Sequence, residues 1–223
     1  MDCKGASTMP LTHDNTQHFE LLSGIAINDL SPMMHEIGSE LGLTTVEHGL
    51  IGFGDPEPMR VHSEIIYHEN LLPYFMLGCV KKADTGGANI LYDAVNAAAI
   101  IAKEEPELLD VTMVYRAEHY PGTQAVVPLV RNKQGEDFLA FRQKKKDLNE
   151  VLGLQGSWDE ASFYEYIDTV IARCEEFSGI LEPGEILVVN NYKTLHVRTA
   201  YEGLRKMIRV RVDDPEANQS YVV

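Results

Sequence analysis

The segment RKMIRVRV, residues 205–212, alternates basic and apolar side chains. Alternation with a period of two is typical of a β-strand with one apolar face and one polar face. Arg205, Met207, Arg209 and Arg211 then share one face, which presents three guanidinium groups. We therefore predict a strand at residues 205–212 and an anion-binding site beside it.

The charge around this strand differs from that of the whole chain. Residues 193–211 hold six basic side chains and one acidic side chain, a local balance of +5, whereas the 223-residue chain has a formal net charge of −15. Nucleic acids and anionic membrane surfaces bind clustered positive charge, so an acidic chain disfavours both. We expect the partner to be a small molecule.

Length and composition fit a single globular domain, which we expect to span residues 1–223. Apolar residues make up 44% and charged residues 24%, as in ordinary globular proteins. No window offers the roughly 18 uncharged apolar residues of a membrane span, and the first ten residues lack a signal-peptide pattern. The cysteines, Cys3, Cys79 and Cys174, form no CxxC pair. We expect a cytoplasmic protein with core or incidental thiols.

Short strands and inserted helices follow one another along the chain. Strands are predicted at residues 59–64, 74–80, 88–91, 111–118 and 185–189, and a hairpin is predicted where residues 126–131 and 137–142 flank Asn132-Lys133-Gln134-Gly135. Helices are predicted from Ser31, as an N-cap, to Gly42, from Asp93 to Lys103, and from a Ser157/Glu160 capping box to about Phe177.

This pattern predicts a mainly β fold with inserted helices, namely a β-sandwich or jelly roll (a cupin-like, double-stranded β-helix). A parallel doubly wound sheet fits less well. Gly52-Phe53-Gly54 lacks the third glycine and the helix of a dinucleotide-binding motif, and no GxxxxGK phosphate-binding loop is present.

A candidate metal-binding pair lies at His62-Ser63-Glu64. The strand period of two would place the imidazole and the carboxylate on one face. Two histidines and one carboxylate leave three positions of an octahedral ion open, the arrangement that non-haem Fe(II) oxygenases use. The triplet alone is not specific, because His18-Phe19-Glu20 repeats it. We interpret His18 as a surface or strand-edge residue.

Further segments accompany the triplet, which continues as Ile65-Ile66-Tyr67. They are Gly86-Gly87-Ala88-Asn89, then NYKTLHVR at residues 191–198, followed by Arg205 and Arg209. Together they resemble the taurine dioxygenase and clavaminate synthase-like family of Fe(II)- and 2-oxoglutarate-dependent oxygenases, over roughly residues 19–212. The resemblance implies a jelly roll with Fe(II), and with 2-oxoglutarate and O2 as co-substrates. It also implies that His62, Glu64 and His196 ligate the iron and form the catalytic centre.

The resemblance further implies that an arginine beyond the distal histidine binds the far carboxylate of 2-oxoglutarate. Arg205 is the first choice, because a guanidinium forms paired, charge-assisted hydrogen bonds with a carboxylate. Arg209 would contact the other end of the co-substrate, or the substrate. Asn89 stands where relatives often carry a threonine that contacts 2-oxoglutarate, and Asn190-Asn191 stands where the family pattern has aspartate-asparagine. Strand alternation alone cannot choose among the arginines.

Candidates for contacting the substrate are His68, Arg142 and Arg198, together with His119, although a lone histidine or arginine is more often structural. Arg198 and Arg211 could equally be solvated surface charges. Residues 143–155, with three consecutive lysines, could form a lid over the site, although a solvated loop is the ordinary interpretation. The resemblance implies oxidation of a C–H bond, by hydroxylation, desaturation or cyclisation, in a small polar metabolite such as an amino acid derivative.

Two other functions fit part of the pattern. Two histidines and a glutamate also form a catalytic zinc set, which would make the protein a hydrolase, but the arginine-rich strand is then unexplained. The chain could also be a non-enzymatic jelly-roll module that binds a small molecule or a metal. In such a module we would expect at least one metal ligand to be replaced, and none is.

Overall fold

The computed structural model of the protein describes residues 17–51, 56–67, 71–116, 124–144, 149–154, 156 and 158–216. Within them the α-helices are α1 (Leu30–Glu40), α2 (Ala94–Glu104) and α3 (Glu160–Ala172). The strands are β1 (Phe19–Leu22), β2 (Thr44–Ile51), β3 (Tyr74–Lys81), β4 (Thr85–Gly86), β5 (Asn89–Asp93), β6 (Thr112–Arg116), β7 (Gln124–Pro128), β8 (Val130–Lys133), β9 (Glu136–Leu139), β10 (Asn149–Leu152), β11 (Glu175–Gly179), β12 (Ile186–Asn190), β13 (Thr194–Arg198), β14 (Tyr201–Glu202) and β15 (Lys206–Asp213).

The alternating segment forms β15, as predicted, inside a five-stranded antiparallel sheet of order β1, β12, β3, β15, β2. The apolar residues Ile208, Val210 and Val212 pack beneath α1, in a cluster with Leu30 and Met34. The opposite face of β15 carries the arginines. In this strand the basic face therefore points into the fold, and the apolar face is covered by a helix.

A second sheet, of order β11, β5, β13, faces the arginine-bearing side of the first sheet. Phe75 and Leu77 of β3, Leu187 of β12 and Met207 of β15 pack with Leu91 of β5 in one buried cluster between the two sheets. This is the sandwich of a double-stranded β-helix, so the predicted fold class is confirmed. The interior of the sandwich lies between β15 and β13, where the candidate functional residues are found.

Helices α2 and α3 pack in a buried cluster separate from that of α1. Helices α2 and α3, strands β6 and β7 and the β8-β9 hairpin contribute side chains to the largest buried cluster. The helix predicted from Asp93 to Lys103 is present as α2, and Asp93 caps it by accepting from the backbone N–H groups of Val95 and Asn96. The hairpin turns at Gln134 and Gly135, whose positive φ angles of 55° and 89° suit a two-residue turn.

Several predicted boundaries are wrong. Helix α1 begins at Leu30, directly after a 3-10 turn, so Ser31 lies inside the helix and its hydroxyl is 3.3 Å from Nε2 of His48. Helix α3 is capped by Asp159, while Ser157 lies outside the described residues. It ends at Ala172 rather than near Phe177, because Phe177 belongs to β11, which pairs with β5.

The hairpin strands are also shorter than predicted. Residues 126–128 belong to β7, which pairs with β6, and only Val130–Lys133 and Glu136–Leu139 form the hairpin. Strand β6 begins at Thr112, one residue later than predicted, and residues 117 and 118 of its predicted span lie outside the described residues.

The remaining predictions from composition concern membranes and thiols. No helix among the described residues is long and apolar enough to span a membrane. Cys79 and Cys174 are buried free thiols, and burial raises the pKa of each to about 11. Cys3 lies outside the described residues.

Candidate active site

His62 and His196 are joined through their backbones. His196 lies on β13, and the two residues exchange N–H to carbonyl hydrogen bonds of 3.1 and 3.0 Å. His62 also bridges to Arg142 on its other side. The predicted strand at residues 59–64 is wrong, because its ladder pairing is limited to these two isolated bridges at His62 and a turn begins at Glu64.

The side chain of Asn191, rather than a strand ladder, binds the backbone of Glu64. Its Oδ1 accepts from the backbone N–H of Glu64 at 2.8 Å, and its Nδ2 donates to the carbonyl oxygens of Glu64 and Leu72, both at 2.9 Å. The next residue, Ile65, has a positive φ of 50°, so the chain turns sharply there. The sequence prediction noted the Asn190-Asn191 pair but gave it no role. Its position five residues before His196 was the available signal.

Replacing Asn191 with alanine should destabilise the protein and disturb the site. The substitution leaves one buried N–H and two carbonyl groups short of a partner, and each such group costs about 1–3 kcal/mol. We expect the free energy of unfolding to fall by roughly 3 kcal/mol or more, measured by urea denaturation without metal. Asn132 is the matched control, because its side chain also accepts and donates hydrogen bonds but is exposed. Equal losses in Asn191→Ala and Asn132→Ala would contradict this role.

The side chains of His62, Glu64 and His196 converge. Glu64 Oε2 lies 3.5 Å from Nε2 of His62 and 3.3 Å from Nε2 of His196. One ligand atom from each residue lies within 4.8 Å of the others, and all three residues are buried. Nδ1 of His62 donates to the carbonyl oxygen of Arg60 at 2.7 Å, which leaves the Nε2 lone pair facing Glu64.

The pKa shifts of Glu64 and His196 favour the protonation states that bind a cation. Burial raises the pKa of Glu64, but hydrogen bonds to His196 and His62 and the charge of Arg211 hold it well below its usual value. Burial and the neighbouring His62 lower the pKa of His196 to about 4. An ionised carboxylate beside a neutral imidazole is the form in which these groups bind metals. The donor set therefore fits a divalent ion with three further positions open, as in Fe(II) oxygenases.

A cavity adjoins Glu64 and His196, and Asn89 and Arg205 lie in its wall. Arg205 is only 5% exposed. Among the described residues, none accepts a hydrogen bond from its guanidinium or forms an ion pair with it, and burial and the charge of Arg198 lower its pKa. Nδ2 of Asn89 is likewise buried without a partner in the described part of the chain. A buried cation and a buried amide donor that both lack acceptors fit an anionic ligand.

Gly86, at the end of β4, and the following Gly87 bring the backbone close to Arg205 and Ala200. Both glycines have positive φ angles, 68° and 77°. A Cβ atom on Gly87 would lie 3.6 Å from Nε of Arg205, and one on Gly86 would collide with the carbonyl oxygen of Ala200. Gly87 therefore packs against the Arg205 side chain.

Arg209 and Arg211 point towards the carboxylate. Nε of Arg211 donates to Oε1 of Glu64 at 2.5 Å and its Nη2 contacts the same oxygen, whereas Nη1 of Arg209 lies 3.5 Å from it. Both guanidinium groups also pair with Glu47 of β2. The side chain of Arg211 is only 12% exposed. The interpretation of Arg211 as a solvated surface charge is therefore wrong.

Arg198 is buried and lines the same cavity. It donates to the carbonyl oxygens of Glu57 at 2.6 Å and Thr199 at 3.0 Å, and its guanidinium lies 4.6 Å from the ring centre of Tyr201. A solvated surface role is therefore wrong for Arg198 as well. These contacts hold residues 56–59 against β13, and a substrate contact stays a prediction.

The other substrate candidates differ in how far the structure places them. Arg142 lies beside His62 through their backbone bridge, and its guanidinium is 5.8 Å from the ring centre of Tyr67. His68 and His119 lie outside the described residues. In the predicted lid segment, Gln143 donates to Asp168 and residues 149–152 form β10, while residues 145–148 and 155 are outside the described part.

His18 has a partner of its own. Its Nδ1 lies 2.6 Å from Oε2 of Glu176 and 3.9 Å from Oδ2 of Asp93, and the hydrogen bond to Glu176 raises the pKa of His18. These three residues form a second group with metal-ligand geometry. The partly exposed His18 lies next to β1, at the edge of the large sheet. The contact with Glu176 explains the residue without a metal.

The jelly-roll fold and the cluster of two histidines and a carboxylate are those of the iron- and 2-oxoglutarate-dependent oxygenase class. The model of the "Taurine catabolism dioxygenase TauD, TfdA family" matches residues 35–211. The chain belongs to this family, so the predicted resemblance is confirmed.

Individual relatives agree with this assignment. The chain is 25% identical to trimethyllysine dioxygenase of Meyerozyma guilliermondii over an alignment of 135 residues. This alignment covers 55% of this chain and 34% of that protein. The chain is 25% identical over 202 residues to clavaminate synthase 2 of Streptomyces clavuligerus, covering 84% of this chain and 54% of that protein. The chain thus spans between about a third and about half of these curated relatives.

Solved structures show the same fold. The structure of the PvcB protein from Pseudomonas aeruginosa superposes with a TM-score of 0.69 at 15% identity, covering 89% of this chain and 78% of that one. A second PvcB structure, described as an Fe, alpha-ketoglutarate dependent oxygenase, gives a TM-score of 0.65 at 14% identity over the same shares of the two chains.

Proposed function

We propose that this protein is an Fe(II)- and 2-oxoglutarate-dependent oxygenase that oxidises a C–H bond of a small polar molecule. The observation that carries the proposal is Arg205, a buried cation without an acceptor among the described residues, in the wall of a cavity that adjoins Glu64 and His196. A metal centre alone would not need this charge. A dicarboxylate that reaches the metal would need it.

The iron ligands are Nε2 of His62, Oε2 of Glu64 and Nε2 of His196. The bound iron would supply oxygen activation coupled to decarboxylation of 2-oxoglutarate to succinate. The protein's part is to hold three donors on one side of the ion and leave the other side open. The backbone bridge between the histidines and the hydrogen bonds between Asn191 and the Glu64 backbone keep these donors rigid.

The co-substrate is held by Arg205 and Asn89. The Arg205 fork binds the far carboxylate through two charge-assisted hydrogen bonds, and Nδ2 of Asn89 donates a further hydrogen bond. The cavity wall between these polar groups is formed by Phe75, Leu77 and Val197, which exclude water from the carbon chain of the bound 2-oxoglutarate. Arg209 lines the same cavity, and its Nε is buried without a partner among the described residues. It binds the metal-proximal end of 2-oxoglutarate or the substrate.

The other two functions explain fewer of these residues. A zinc hydrolase uses the three ligands but leaves Arg205 and Asn89 without a role. In a vestigial binding module we would expect at least one metal-binding side chain to be replaced. Here two histidines and a glutamate are present, and their side chains converge.

The substrate is an amino acid derivative. Trimethyllysine dioxygenase carries the name of such a substrate, and the arginines around the cavity suit a molecule with a carboxylate. The three arginines in the cavity wall, Arg198, Arg205 and Arg209, favour a small polar metabolite with an anionic group over an uncharged lipid.

Turnover tests the proposal. Protein purified without oxygen should release succinate from 2-oxoglutarate when Fe(II) and O2 are supplied, and a panel of amino acid derivatives should raise that rate when the correct one is present. Zn(II) in place of Fe(II) should give no succinate, and a chelator should abolish release until Fe(II) is restored. Iron-independent hydrolysis of an ester or amide, without use of 2-oxoglutarate, would favour the hydrolase.

A further inference from the structure

Glu64 has its two carboxylate oxygens in different environments. Oε2 faces the histidines, at 3.3 and 3.5 Å from their Nε2 atoms. Oε1 faces β15, where Nε and Nη2 of Arg211 both bind it. The carboxylate is 3% exposed, so water does not compete strongly for either oxygen.

We propose that Arg211 is a positioning residue for the metal-binding carboxylate, a role that rests on the proposed function above. By donating to Oε1 from both Nε and Nη2, its guanidinium fixes the rotation of the Glu64 carboxylate. Glu64 then presents only Oε2 to the ion and binds through one oxygen. An ion held through that one oxygen would keep open a position that a carboxylate binding through both oxygens would occupy.

The geometry separates Arg211 from the neighbouring Arg209. Both lie on the inward face of β15, opposite Phe75 and Leu77 of β3. Only Arg211 reaches Oε1 at hydrogen-bond distance, whereas the closest Arg209 nitrogen is 3.5 Å away. Arg209 instead lines the cavity, and Arg211 does not. The two arginines therefore have different roles: Arg211 binds the metal-binding residue Glu64, and Arg209 faces the cavity.

Glu47 supports this arrangement from the edge strand. It is the register partner of Arg211 across β2 and β15, and it pairs with Nη1 of Arg211 and with Nη2 of Arg209. The side chain of Glu47 is 42% exposed, so its ion pairs are screened by solvent. Glu47 restrains Arg211, and the buried contact to Glu64 carries the effect.

The inference predicts weaker metal binding when Arg211 is replaced. Loss of a residue that orients a metal ligand typically lowers metal affinity about 10- to 100-fold. We expect a loss in that range for Arg211→Gln and a smaller loss for Arg211→Lys, which keeps a cation that can donate but not the planar fork. The measurement is equilibrium dialysis of Fe(II) under anaerobic conditions, without 2-oxoglutarate, on protein whose folding has been checked by circular dichroism.

Two controls separate positioning from general effects. Arg173→Gln removes a surface arginine that pairs with Glu104 through two hydrogen bonds, and it should leave Fe(II) affinity unchanged. Glu47→Gln keeps the Arg211–Glu64 contact and should change affinity less than Arg211→Gln does.

The outcomes are distinguishable. Unchanged Fe(II) affinity in both Arg211 variants, with the wild type binding one iron, would overturn the positioning role while leaving the proposed function intact. Tighter binding by Arg211→Gln would also overturn it, because Arg211 would then act only by repelling the cation. Failure of the wild type to bind iron would instead overturn the proposed function. If Arg211→Gln does not fold, Arg211→Lys carries the test.

Discussion

His62→Ala and His196→Ala should each abolish iron-dependent turnover, while His18→Ala should leave it largely intact. Removing either histidine leaves two ligands for the ion, and the remaining imidazole cannot replace the lost one because the backbone bridge fixes its position. We expect the rate of succinate formation to fall by at least about 100-fold, since even the loss of an outer-shell partner of a metal ligand costs 10–100-fold.

His18 is a demanding control for this prediction. It also belongs to a group with metal-ligand geometry, together with Asp93 and Glu176, and it also lies in a His-x-Glu triplet. The measurement is succinate formation at saturating Fe(II) and 2-oxoglutarate, paired with iron content after anaerobic dialysis. Equal loss in all three variants would show that the wrong group of residues has been assigned to the iron.

Arg205→Ala should raise the KM for 2-oxoglutarate by on the order of 100-fold, about 3 kcal/mol, because truncating one partner of a buried charge pair costs 2–5 kcal/mol or more. At saturating Fe(II), Arg211→Ala should raise this KM much less, and Arg173→Ala should not change it. The reverse ranking of Arg205 and Arg211 would reassign the arginine that binds the co-substrate.

Stability gives this prediction a second readout. A buried charge without a partner destabilises the folded state. Without ligand, an Arg205→Met variant should therefore unfold at the same urea concentration as the wild type or at a higher one, although it binds 2-oxoglutarate poorly. A large loss of stability would mean that Arg205 has a structural role instead.

The sequence predicts best where the signal is local. Alternation identified β15, the alanine-rich run after Asp93 identified α2, and the turn residues Asn132-Lys133-Gln134-Gly135 identified the hairpin, because each pattern is complete within a few residues. Helix α3 was predicted too long, because the signal that ends it is the pairing of β11 with β5, which is distant in sequence. Ser31 resembled a cap because a sequence does not reveal the preceding 3-10 turn.

The site was predicted in part. Family resemblance selected His62, Glu64 and His196, and these residues do converge, but not for the reason that strand alternation suggested. Residue 64 leaves the ladder and is held by the side chain of Asn191, a contact across 127 residues. The arginines share one face, so the sequence could not separate them. The approach of the second sheet and of the 56–67 segment decides which arginine meets the cavity and which meets Glu64.

The most direct test of the account is an anaerobic titration of the Fe(II)-loaded protein with 2-oxoglutarate, followed by visible absorption. Chelation of iron by the co-substrate should produce a charge-transfer band that saturates at one 2-oxoglutarate per chain. The band should be absent with Zn(II) and should need far more 2-oxoglutarate in Arg205→Ala. A protein that binds one iron but gives no such band at any concentration of 2-oxoglutarate would contradict the proposed site.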